Sequence, residues 1–157
     1  PNRSLLLDRL SQAVSRARRE DWPLAILFID LDHFKEINDE HGHEAGDEVL
    51  RAAAERMTGQ LRSCDTVARY GGDEFIVLLT NVLDADDARQ VGGKLLAAVS
   101  RPVATPSGDL PLSCSIGIAV CPDHGTDLDS LRRRADLAMY SAKQSGRHAV
   151  VVGCDAG

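Results

Sequence analysis

The chain's 157 residues make one ordinary domain, and 43% hydrophobic with 27% charged residues excludes both a disordered segment and a disulfide scaffold. A net charge of −6 at pH 7 argues against a general polyanion-binding surface, so nucleic acid is not an expected partner and a nucleotide must be held locally, by a few bases and a cation. No apolar run reaches the roughly 18 residues of a membrane span, and Cys64, Cys114, Cys121 and Cys154 form no CxxC pair, which points to a reduced, cytoplasmic setting without membrane contact by this domain.

The chain opens PNRSLLLDRL, without an initiator methionine or signal peptide, and is expected to be a single domain (1–157) cut from a longer protein. Between residue 4 and about residue 19, Leu6, Leu10, Ala13, Val14 and Ala17 share one helical face, and REDWP ends that helix. LAILFI, residues 24–29, is a continuous apolar strand. It stops at DLDHFKEINDEHGHEAGDE, where Asp32 is placed to cap a short helix carrying Phe34 and Ile37. A second helix follows from about Ala45, with Val49, Ala53 and Met57 inward. From about 66 to 80 the chain reads as a hairpin about Gly71 and Gly72, because glycine reaches φ > 0 without steric cost.

Asp84 is the N-cap of the next helix, whose buried stripe is Ala88, Val91, Leu95 and Val99 and which Gly92 and Gly93 weaken. RPVATPSGD reads as a loop. In LSCSIGIAV, Leu112, Cys114, Ile116, Ile118 and Val120 alternate with smaller residues, as in a half-buried strand. A helix from about 127 to 144 and a final strand in SGRHAVVV complete the order, with no internal repeat and no internal linker.

Chemistry concentrates where the apolar runs meet acids. Asp30 ends one strand and Asp73, with Glu74, opens another; if the strands are neighbours, their carboxylates converge on one rim of the sheet. A divalent cation would resolve the repulsion, since Mg²⁺ takes one or two carboxylates together with water and substrate phosphates; solvated acids at strand ends are the alternative. Lys35 lies one turn from Asp32, on the same helix face as Asn38, and AKQSGR sets Lys143 and Arg147 about a glycine at the end of the last helix. Near a carboxylate-held cation such bases form a triphosphate cradle. By itself KQSGR is also a cationic helix C-terminus of the kind the macrodipole favours.

FIDLDHFKEINDEHGHEAGD, RYGGDEF and MYSAKQSGR, in that order and spacing, resemble the GGDEF family of diguanylate cyclases, over a stretch from residue 2 to about residue 152. The resemblance implies an α/β (α+β) fold with a central mixed, mostly antiparallel five-stranded sheet flanked by helices, palm-like as in polymerases and nucleotidyl cyclases. It implies condensation of two GTP into cyclic di-GMP and two pyrophosphate with Mg²⁺ or Mn²⁺. Carried over by position, Asp30 and Asp73 match the metal carboxylates, Leu31 the residue lending a backbone carbonyl, and Glu74 the acid with a metal or base role near the ribose 3′-OH.

Gly71 and Gly72 would let substrate sit against the hairpin backbone, while Lys35, Lys143 and Arg147 would contact its phosphates. Asn38 and Asp47 match the guanine-reading pair: a carboxylate accepts from N1–H and the exocyclic amine of guanine, whereas adenine has no donor at N1. Both residues also suit their local positions, Asn38 at a helix end and Asp47 in a helix first turn. RSCD matches the family's inhibitory RxxD motif, giving Arg62 and Asp65 as a product-binding site, with a solvated surface pair as the alternative. Asp32 has no metal role in the family and is assigned to capping. His148 stands where the family commonly has Asn, and His33, His41 and His43 lie among oxygen ligands and are not read as a zinc site.

The implied partners are GTP, cyclic di-GMP as product and inhibitor, a second copy of the chain for catalysis, and sensor or EAL-type domains in the full-length protein. The rival reading is a non-catalytic GTP or cyclic di-GMP binding domain regulating an EAL-type phosphodiesterase; keeping both Asp73 and Glu74 favours the enzyme. A cyclase of ATP or GTP acting within one nucleotide is disfavoured by Asn38 and Asp47 for ATP and by the three motif blocks generally.

Overall fold

The structure is a computed structural model describing residues 3–106 and 108–153. Its elements are α1 (Arg3–Glu20), β1 (Leu24–Leu31), α2 (Phe34–His41), α3 (His43–Gln60), β2 (Thr66–Arg69), β3 (Glu74–Thr80), α4 (Ala85–Val99), β4 (Val103–Thr105), β5 (Gly108–Leu110), β6 (Cys114–Cys121), α5 (Leu128–Gln144) and β7 (Ala149–Val152). Five strands form one sheet in the order β2-β3-β1-β6-β7, antiparallel except for the parallel β6–β7 pair. This is the mixed, mostly antiparallel five-stranded sheet the sequence leads one to expect. No helix among the described residues is long and apolar enough to cross a membrane.

β1 is buried along all eight residues because helices cover both faces of the sheet. Its odd-numbered residues, Ala25, Leu27, Ile29 and Leu31, pack with Ile37 of α2, Val49, Ala53 and Met57 of α3 and Ala88 and Leu95 of α4. Leu24, Ile26 and Phe28 face the opposite way, onto Leu6, Leu10 and Val14 of α1 and Leu131, Ala135 and Met139 of α5. By the same alternation Asp30 belongs to the α1/α5 face.

Four local expectations are corrected. The stretch read as a loop, RPVATPSGD, contains β4 and most of β5, a short hairpin outside the main sheet. β6 is buried on both faces rather than half-buried. Its small residues face α5 because the helix lies directly on the strand: a Cβ on Gly117 would stand 2.1 Å from the Ala135 carbonyl oxygen and 2.2 Å from the Met139 nitrogen. α4 runs unbroken through its glycines, and Gly92 is where it approaches the sheet, within 3.0 Å of Ile118 and Val150 for an added Cβ.

Asp32 does not cap α2. The N-cap is His33, at φ 59°, with no side-chain cap bond, and Asp32 is buried elsewhere. Asp84 and Asp127 do cap α4 and α5, accepting from the Asp87 and Ser130 amides at 2.9 and 2.8 Å. Cys114 and Cys121 are buried free thiols of β6 and Cys64 is exposed; Cys154 lies outside the described residues.

Two glycine substitutions separate packing from propensity. Gly117→Ala is expected to destabilise the fold by about 3 kcal/mol or more, since backbone of α5 must move. Gly93→Ala, with nothing within 4 Å of the new Cβ, is expected to stabilise α4 by about 0.5–1 kcal/mol. Urea denaturation of both variants checks the pair.

Candidate active site

Strand register builds the acidic cluster. Asp30, the penultimate residue of β1, pairs across the ladder with Glu74, the first residue of β3. The two side chains therefore emerge on the same face, a repulsive arrangement for like charges. Asp73 is held beside them by its own carbonyl, which accepts from the Leu31 amide at 3.1 Å. One carboxylate oxygen from each of Asp30, Asp73 and Glu74 lies within 4.8 Å of the others.

Asp30 carries most of the cost. Burial, reinforced by the charge of Asp73 and only partly offset by Lys143, pushes its carboxyl up to about 6. The Lys143 ammonium, from the last turn of α5, pairs with Asp30 Oδ2. Asp30 Oδ1 is buried with no hydrogen-bond partner. An orphaned hard oxygen beside two further carboxylates suits a divalent cation of the Mg²⁺ type, and the residues present fit one. His33 and His41 lie within 3.8 Å of Glu36 and Glu40 instead, at the surface.

The loop between β2 and β3, Tyr70 to Asp73, closes on the Glu74 carbonyl, which accepts from the amides of Tyr70 (2.8 Å) and Gly71 (3.3 Å). Neither Gly71 nor Gly72 uses the left-handed φ that was expected of them. A Cβ on Gly71 would meet only the Glu74 side chain, at 3.9 Å or beyond, and one on Gly72 would meet nothing within 4 Å. No contact among the described residues demands the paired glycines. Arg69, which sequence reasoning missed, braces the loop by donating to the Gly71 carbonyl (3.0 Å) and the Gly72 carbonyl (2.9 Å).

Asn38 lies over the first turn of α3, and Gly46 is the reason it can. A Cβ on Gly46 would fall 1.8 Å from Asn38 Oδ1. The glycine thus seats Asn38 beside the residue preceding Asp47, which is exposed and opens onto a groove of about 430 Å³ with Leu50, Arg51, Arg69 and Phe75. Lys35 is exposed on α2, and Arg147 is exposed beyond α5.

A second groove of about 450 Å³, on the α5 face, joins Glu74 to Phe28, Tyr70, Arg132 and Arg133. The α5 arginines could have been suspected from the run RRR on a helix predicted to cover the sheet. Volume alone does not mark the site, since a larger cavity, about 940 Å³, lies along α1 beside Trp22 and Thr80, away from the acids.

Arg62 and Asp65 are not a solvated pair. The Asp65 side chain is only 3% exposed. It accepts from the amides of Arg62 (3.0 Å) and Thr80 (3.3 Å), while Arg62 donates to the Thr80 carbonyl and to Asp65 Oδ2 (3.4 Å). The motif thereby ties the end of α3 to the end of β3.

Comparison with known proteins agrees with this architecture. The family model described as diguanylate cyclase, GGDEF domain, matches residues 1–149. The bifunctional diguanylate cyclase/cyclic di-GMP phosphodiesterase MucR of Pseudomonas aeruginosa is 46% identical over 148 residues, covering 94% of this chain and 22% of the relative. Diguanylate cyclase TpbB of the same organism is 45% identical over 148 residues, covering 94% of this chain and 34% of the relative. The crystal structure of the GGDEF domain of TpbB superposes with a TM-score of 0.93 at 43% identity, covering 98% of this chain and 96% of that one. The chain therefore spans only about a fifth to a third of the curated relatives' length.

Protonation of Asp30 should compete with the cation. Because the folded carboxyl is raised to about 6, its ionisation costs stability as pH rises through that value in metal-free protein, and a metal must displace a proton below it. A fixed Mg²⁺ concentration is expected to raise Tm at about pH 7.5 and to lose most of that effect by about pH 5. Equal shifts at both pH values, read by calorimetry, would place the cation elsewhere.

Proposed function

Because this chain belongs to the GGDEF family of diguanylate cyclase domains, we propose that it condenses two GTP into cyclic di-GMP and two pyrophosphate, as one half of a homodimer. The observation that carries the reading is the convergence of Asp30, Asp73 and Glu74 at the sheet rim, with a buried Asp30 oxygen left without a partner. These carboxylates and the Leu31 carbonyl would hold Mg²⁺ or Mn²⁺. Bound there, the metal supplies charge neutralisation for the phosphates and the pyrophosphate leaving group and favours a nucleophilic 3′-oxygen.

The chain's own residues do the rest. Lys143 pairs with Asp30 and so stands at the same rim, where it can also pair with phosphate oxygens; Arg147 and Lys35 are exposed cations. Gly71 and Gly72, which the chain's own packing does not require, leave the hairpin backbone bare for the nucleotide to lie against. Glu74 is the acid positioned to take the 3′-hydroxyl proton. Asn38 and Asp47 read guanine, so ATP would leave a desolvated acceptor unpaired.

One domain presents one GTP, and the 3′-oxygen that attacks its α-phosphorus comes from the GTP of the second copy. Sensor or EAL-type domains in the longer protein would control that encounter, on the cytoplasmic side. Product feedback would use Arg62, whose side chain is 58% exposed, with Asp65 fixing the loop beneath it. The similarity to a bifunctional protein supports a second reading, a regulatory GTP or cyclic di-GMP binding domain attached to an EAL-type phosphodiesterase.

Incubation with GTP and Mg²⁺ at several protein concentrations, with cyclic di-GMP measured by chromatography, separates the two. A rate rising faster than linearly with protein concentration is expected; no product at any concentration, even with a fused dimerising helix, favours the regulatory reading. Glu74→Gln and Asp73→Asn, which keep shape and remove charge, are each expected to reduce turnover at least about a hundredfold with unchanged circular dichroism. Asp47→Asn is expected to narrow the preference for GTP over ATP by about 1–3 kcal/mol in binding titrations.

A further inference from the structure

Asp32, buried to 3% exposure one residue beyond β1, is used neither as a helix cap nor in the acidic cluster. Its Oδ1 accepts from Ser115 Oγ at 2.8 Å; its Oδ2 accepts from Ser113 Oγ at 2.7 Å and from the His148 amide at 3.2 Å. Its own amide donates to the Ser113 carbonyl at 2.9 Å. A carboxylate so desolvated is costly unless its donors compensate it. Two of those donors lie on or just before β6, and the third lies in the segment that follows α5.

That segment is unusual. Gly146, Arg147 and His148 all have left-handed φ, of 112°, 67° and 49°. Glycine takes such angles freely, but Arg and His do so only where surrounding bonds hold them. The Arg147 amide donates to the Ala142 carbonyl at 3.1 Å, which closes the C-terminus of α5. The next amide, that of His148, is held by Asp32, and the His148 ring lies 3.3 Å from Ser100 Oγ. Asp32 therefore fixes the far side of the turn on which Arg147 is mounted.

We propose that Asp32 is a positioning residue for the triphosphate: through the His148 amide it locks the left-handed turn that aims Arg147. The inference rests on the reading of Arg147 as a phosphate ligand. It explains why a buried carboxylate stands two residues from Asp30 and yet takes no part in the cluster of three acids. Neutralising Asp32 would leave the turn free to relax to right-handed angles, with Arg147 carried out of register while Lys143, on α5, stays in place.

Two readouts test this in Asp32→Asn, Arg147→Ala and the double variant. The first is tryptic cleavage between Arg147 and His148, followed by mass spectrometry; Asp32→Asn is expected to accelerate it about tenfold, and Ser115→Ala, a milder change at the same carboxylate, by less in the same direction. The second is calorimetric affinity for 3′-deoxy-GTP with Mg²⁺, which binds without an attacking 3′-hydroxyl. Asp32→Asn is expected to weaken it about five- to tenfold, and the double variant to be no weaker than Arg147→Ala alone.

An unchanged cleavage rate in both Asp32→Asn and Ser115→Ala overturns the proposal, as does an affinity loss that adds in full to that of Arg147→Ala. Unchanged affinity in Arg147→Ala also overturns it, by removing the phosphate reading beneath it, and the cleavage result then tells that failure from a failure of the lock.

Discussion

The electrostatic cost of placing three carboxylates at one edge of a buried sheet governs this molecule. β1 is buried on both faces, so Asp30 at its end cannot escape to solvent, and the antiparallel register places Glu74 directly opposite. A fold built only for stability would not keep that arrangement, because repulsion and desolvation act together on Asp30. A lysine from α5 answers part of the charge, and one buried oxygen remains unanswered. The local conflict between stability and residue choice is the signature expected of a site whose missing partner is a ligand.

Several packing details serve that rim. The close seat of α5 on Gly117 brings the helix's last turn to Asp30, so the strand–helix contact sets where Lys143 can reach. Gly46 gives Asn38 its place over α3, and Arg69 stiffens the loop that delivers Asp73 and Glu74. Asp32 ties the end of β1, the start of β6 and the turn after α5 into one unit. Strand ends thus carry Asp30 and Glu74 and a braced loop carries Asp73, while the proposed nucleotide-facing groups sit on α2, the start of α3, the end of α5 and the turn beyond it.

Most of the fold was legible in the sequence, because apolar periodicity and the Asp84 cap are local signals. What escaped was non-local. Asp32 precedes a helix as a cap would, but its partners lie 81 to 116 residues further along the chain. The small residues of β6 imitated a half-buried strand because a helix backbone, rather than water, lies against them. The paired glycines looked like a demand of turn geometry, whereas the turn does not use their freedom. Asp30, Asp73 and Glu74 were found because strand ends and adjacent acids can be seen in one dimension; Gly46, Arg69 and the α5 arginines owe their relevance to contacts made only on folding.

If Asp30, Asp73 and Glu74 hold a divalent cation against GTP, anomalous scattering from Mn²⁺ in crystals grown with 3′-deoxy-GTP tests it most directly. An anomalous peak is expected within bonding distance of Asp30 and Asp73, with phosphate oxygens on the same ion and Lys143 turned from Asp30 to phosphate. Nucleotide bound with no peak at the three carboxylates, or with Lys143 still paired to Asp30, would contradict it.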